Sequence, residues 1–178
     1  MNQSSLSRSR WLHASWFALA IAIFSSLWLV VMTVTGWYRD PGRMEIALAV
    51  PVVEVILLVL ACRQARRDGS TILASVALCL VVTLVAAVLS AGFAFAYTST
   101  RANYFNDVRQ AHAEGLRRAG QTEAEIATIM ATHQIGTPKG LALNRFRNTV
   151  VFGVIGTLAG VALLAIGKAG SKGSKGTR

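Results

Sequence analysis

ILASVALCLVVTLVAAVLSAGFAFAY, residues Ile72–Tyr97, carries no charged side chain from end to end. A bilayer core of roughly 30 Å takes about 20 apolar residues at about 1.5 Å rise each, so this stretch is long enough to cross it with a tilt. Lipid offers no partner for free backbone N–H and C=O groups, so a spanning segment of this length must be helical. Three further apolar runs surround it: Trp16–Trp37, Met44–Ala61 and Val150–Ile166. The first is bracketed by Trp11, Trp16, Trp37 and Tyr38, the placement of an interfacial aromatic belt. Arg8 and Arg10 precede it like the basic region of a secretory signal. The run is too long for one and no A-x-A site follows, so it reads as a retained anchor.

The expected fold class is therefore all-α: an integral membrane four-helix bundle with an extramembrane helical hairpin between helices three and four. Residues 1–15 form an N-terminal segment and 16–97 hold helices one to three. Residues 98–149 form the hairpin loop, 150–166 the fourth helix, and 167–178 a basic tail with no apolar side chain to build a core, read as disordered. The bulk composition agrees, since 53% of the residues are hydrophobic and only 15% charged, below the quarter or so typical of soluble domains. The net charge of +10 lies between the apolar runs, which points to orientation and anionic headgroups and away from nucleic acid. Arg63, Arg66, Arg67, Lys168, Lys172 and Lys175 cluster beside span ends and are candidate contacts to anionic lipid. The same clustering favours both termini in the cytoplasm, with Arg145 and Arg147 beside span four pulling the other way.

The long loop has helical periodicity. Tyr104, Phe105, Val108, Ala111, His112 and Leu116 define a helix from about Ala102 to Ala119, ended by Gly120. Thr122 and Glu125 then read as a capping box opening a second helix with Ile126, Ile129, Met130 and His133, closed by Gly136-Thr137-Pro138. Neither His112 nor His133 has a second ligand at metal spacing, and Cys62 and Cys79 form no C-x-x-C pair, so no metal, redox or other cofactor is expected.

Glu54 is the acid near the middle of an apolar run, three residues after Pro51, which frees backbone groups and can kink the helix. A charge at that depth costs at least about 2.5–3.5 kcal/mol, so the carboxyl should be neutral, paired or facing a wet cavity. It is either a protonatable switch for ion or substrate movement or a packing group hydrogen-bonded to a neighbouring span, through Ser90 or Thr83. Gly153, Gly156 and Gly160 give span four a face for close helix approach, matched by Ala87, Ser90, Ala91 and Ala94 on span three. Asp107, Glu114, Glu123 and Glu125 read as the solvated face of the hairpin, and no nucleophile elbow, phosphate loop, H-E-x-x-H or carboxylate pair is present. The chain is accordingly read as non-enzymatic.

From the second apolar run onward the order of parts, beginning with the basic run Arg63–Asp68 and Gly69, carries a resemblance. The basic run leads into span three, followed by Asn103-Tyr104-Phe105, then Gly120 with Glu123 to Ile126, then a last span. This resembles the domain-of-unknown-function family 4199, small four-span membrane proteins of bacteria, over roughly two-thirds of the chain. The resemblance implies architecture and no catalytic residue. The expected role is an accessory or interaction subunit of the bacterial inner membrane, in contact with the bilayer and with a membrane-protein partner or further copies of itself. The alternative is a small oligomeric proton-coupled transporter working through Glu54.

Overall fold

The computed structural model describes residues 3–39, 48–101, 103–132 and 136–173, and every regular element among them is helical. The α-helices are α1 (Gln3–Val34), α2 (Ala49–Arg67), α3 (Ile72–Ser99), α4 (Tyr104–Arg118), α5 (Glu123–Thr132) and α6 (Pro138–Gly173), with a 3₁₀ turn at Trp37–Arg39. Three of these helices, over Ser9–Val34, Ile72–Ser99 and Pro138–Leu164, are long and apolar enough to cross a membrane. α2 is not among the three, because any 18-residue stretch within it takes in Glu54, Arg63 and Arg66. The expected second span starts at Met44, and residues 44–47 lie outside the described residues.

Local chemistry sets the helix ends. After α2, Gly69 adopts φ +80° while Ser70 N–H donates to Ala65 O and Gly69 N–H to Arg66 O, a Schellman closure that needs the left-handed glycine. Gly120 (φ +82°) ends α4 in the same way, with Gln121 N–H on Leu116 O and Gly120 N–H on Arg117 O. The Thr122–Glu125 capping box forms as expected, with Thr122 N–H donating to Glu125 Oε2 at 2.8 Å.

Several boundaries differ from expectation, since α1 already begins at Gln3 and α2 runs on to Arg67. Residues 138–149, read as the end of the loop, are the first turns of α6. Thr137 accepts from Gly140 N–H at 3.0 Å and Pro138 takes the first helical position, so the Gly-Thr-Pro break also starts a helix. At the other end α6 continues to Gly173, into the stretch read as disordered.

The chain divides into two compact units, each with its own core. The first takes Met1–Ala22, Pro51–Ala87 and Asn148–Arg178. Ala14, Ala18 and Ile21 line one face of α1 and pack with Leu58 of α2 and with Val82 and Ala86 of α3. A second cluster joins Ala61, Cys62 and Cys79 to Val161 and Leu164 of α6. The second unit takes Ile23–Val50 and Val88–Arg147. Its core is Leu29, Tyr38, Ala94, Tyr104, Phe105 and Val108, against which Tyr97 and Leu141 pack.

Candidate functional site

In the first unit, Thr149, Gly153, Gly156 and Gly160 recur at helical spacing and share one face of α6. That face packs closely on α2 and α3. A Cβ added at Gly156 would stand 3.1 Å from Leu58 Cβ and from Val55 Cα, and one at Gly160 would stand 2.9 Å from Cys62 Cβ. At Gly153 it would overlap Thr83. The glycines therefore meet both neighbours: Gly153 lies on α3, while Gly156 and Gly160 lie on α2, where the sequence pattern pairs all of them with α3.

This approach brings the Thr149 hydroxyl to Glu54. The Glu54 residue is 2% exposed, and Thr149 Oγ1 donates to its Oε1 at 3.2 Å. The partners expected from the sequence are Ser90 and Thr83. Thr83 instead donates its hydroxyl to Cys79 O at 2.9 Å, and Thr149 falls in the residues read as loop. Pro51 lies in the first turn of α2, where its missing N–H has no intrahelical acceptor to leave unpaired and no kink is required.

A polar clamp that no sequence motif announces closes the turn between α2 and α3. Arg10 of α1 donates through Nε and Nη2 to Asp68 O at 3.1 and 2.8 Å. His13 Nδ1 lies 3.0 Å from Asp68 Oδ2, and Gln64 Nε2 donates to Asp68 Oδ1 at 3.0 Å. Arg66, read as a lipid contact, donates to Ser70 O in the same turn, while Arg63 and Arg67 remain exposed. Lys168 and Lys172 fall on the last turns of α6, and Lys175 lies outside the described residues, as does His133. Cys62 and Cys79 are fully buried free thiols in one cluster, which their spacing in the chain does not suggest.

In the second unit the 3₁₀ turn is latched to α4. The Tyr38 hydroxyl donates to Asp107 Oδ2 at 2.9 Å, Arg39 Nε donates to the Tyr38 oxygen at 3.1 Å, and Arg39 Nη2 pairs with the same Asp107 oxygen. The Arg39 guanidinium and the Tyr38 hydroxyl hold the Asp107 carboxyl below its ordinary range. Burial, reinforced by donation to Asp107, pushes the Tyr38 phenol up. Beneath the latch the rings of Tyr38 and Tyr104 lie 5.0 Å apart, and Phe105 meets Tyr104 edge-on. Asp107 is thus a structural anchor and not part of a solvated acidic face. Glu114 and Glu123 do lie on the surface, paired with Arg118 and Arg117.

Beside this latch lies an open cleft of about 480 Å³, lined by Thr33, Tyr38, Arg39, Thr100, Arg101, Asn103, Tyr104 and Asp107. Arg101 stacks on the Tyr97 ring at 4.9 Å.

No curated protein and no solved structure matches the chain. The family described as "Protein of unknown function (DUF4199)" matches residues 16–165, which take in α2 to α5 whole and most of α1 and α6. The chain belongs to the DUF4199 family.

Proposed function

We propose that the protein is a four-span bacterial inner-membrane protein, with both termini cytoplasmic, that acts without catalysis as an accessory or interaction subunit. α4 and α5 form its extracytoplasmic hairpin. The observation that carries this reading is the way α4 is fixed. Tyr104, Phe105, Val108 and Ala111 bury one face, and the Tyr38–Arg39–Asp107 latch ties it to the end of α1. The opposite face, with Asn106, Gln110 and Arg117, and most of α5 stay exposed. A rigid amphipathic platform of this kind suits a partner surface, since little ordering entropy is lost on docking. The fourth span is supported by Val52, Ile56 and Leu60, a stripe of exposed apolar residues along α2 that lipid would cover.

A photo-crosslinking residue placed at Ala124, Ala127 or Ala131, all exposed on α5, should give a discrete protein adduct in native membranes. A blank at all three positions would defeat the interaction reading. A second reading, proton-coupled transport, draws support from the burial of Glu54 alone. Its test is flux in reconstituted vesicles, which Glu54→Gln must abolish. Vesicles that carry no flux with the native protein rule it out.

A further inference from the structure

We infer that the cleft beside the Tyr38–Asp107 latch binds a phosphate-ester anion, and that its occupant is the headgroup of an anionic phospholipid. Three observations converge on this. The first is charge. Two guanidiniums, Arg39 and Arg101, face one carboxylate, Asp107, so the cleft carries an excess positive charge. Arg39 offsets the Asp107 charge within their ion pair, so the excess charge of the cleft is that of Arg101. Arg39 uses Nε on Tyr38 and Nη2 on Asp107, leaving Nη1 to donate. Arg101 is exposed, has no ion pair among the described residues, and is held by the Tyr97 ring with its planar fork unspent. Such a fork matches two oxygens of a phosphate.

The second observation is the rest of the lining. Asn103 supplies a side-chain amide that makes no capping bond to α4, while the Thr100 hydroxyl donates to Tyr97 O at 2.8 Å. The third is depth. The apolar stretches of α1 and α3 end at Val34 and Ser99, and the cleft is built from the residues at those ends, Thr33, Arg39, Thr100 and Arg101. Helices that leave the hydrocarbon here place the two guanidiniums at the level of lipid phosphates. This placement rests on the membrane reading above and favours a lipid over a soluble phosphate ester. A volume of about 480 Å³ accommodates a glycerophosphate headgroup while the acyl chains stay in the bilayer.

The test uses the full-length protein in a neutral detergent, with bound lipid read by native mass spectrometry. Phosphatidylglycerol should be retained about tenfold over diacylglycerol of the same chains, the ratio expected for one charge-assisted contact. Arg101→Gln should remove that preference. Its fold is expected to persist, because among the described residues the Arg101 side chain makes only the ring contact with Tyr97, and an unchanged unfolding midpoint verifies this. Glycerol 3-phosphate added in excess should leave the lipid in place. Displacement by glycerol 3-phosphate would keep the anion site and overturn a lipid as its occupant. Equal retention of both lipids, or an Arg101→Gln protein that still prefers phosphatidylglycerol, would overturn the site itself. Either failure leaves the membrane reading standing if the protein is still extracted only by detergent.

Discussion

Replacing Gly153 with Ala should loosen the packing of α6 on α3. An added Cβ lies 2.6 Å from Thr83 Oγ1 and 2.9 Å from Thr83 Cβ, well inside the ~3.5–4 Å of an ordinary contact. Thr83 has little room to yield. It is 2% exposed, β-branched, and donates its hydroxyl to Cys79 O at 2.9 Å. Either that bond breaks or α6 retreats, and a retreat lengthens the Thr149–Glu54 contact one turn away. Overpacking of this kind costs about 1–3 kcal/mol, while Ala in place of a helical Gly returns about 1 kcal/mol. The expected net loss is about 0–2 kcal/mol. Thr83→Ala removes Oγ1 and Cγ2, so in the double variant the two closest overlaps are gone and the 2.9 Å approach to the Cβ of residue 83 remains. The cycle of single and double variants should show a favourable coupling of about 1–2 kcal/mol, read from unfolding midpoints in detergent. If Gly153→Ala alone raised the midpoint and the two changes simply added, α6 would not approach α3 through Gly153.

The state of Glu54 and the latch at Asp107 yield further expectations. Glu54→Gln keeps an oxygen for the Thr149 hydroxyl and should unfold near the native midpoint. Thr149→Val should lower stability by about 0.5–1.7 kcal/mol, the span measured for hydrogen bonds between membrane helices; a Gln variant less stable than the Val variant would contradict a packing role. Asp107 has a folded-state pKa depressed by Arg39 and Tyr38. Its contribution is therefore complete above the unfolded carboxylate value of about 4 and fades as the pH falls toward the folded one. Thermal unfolding followed by tryptophan fluorescence should lose midpoint in that acid range for the native protein and not for Asp107→Asn. Identical acid profiles would mean that Asp107 does not hold α4 in place.

The apolar runs make the long helices readable, and the short-range signals at Gly120 and at Thr122–Glu125 mark the two helices between α3 and α6. These features depend on neighbours within a few residues. Other features depend on which helices come together. Arg10 and His13 meet Asp68 across 58 and 55 positions, and Tyr38 meets Asp107 across 69. No spacing rule reaches that far. Thr149 is hidden for a different reason. Lys139, Arg145 and Arg147 make residues 138–149 look like loop, whereas long cationic side chains on a helix near a membrane surface can extend to water and leave the backbone helical. Glu54 stands out in the sequence as a buried acid, but its bond with Thr149 becomes visible only when the glycine face of α6 is laid against α2.

The four-span topology stands or falls with α2, whose two ends must lie on opposite sides of the membrane. Single cysteines at Thr35 and Arg67, both exposed, can be probed with an impermeant maleimide, since the native thiols of Cys62 and Cys79 are fully buried. Thr35→Cys should label in intact spheroplasts, and Arg67→Cys only after permeabilisation. Labelling of both from the same side would mean that α2 does not cross and that the chain does not span the membrane four times.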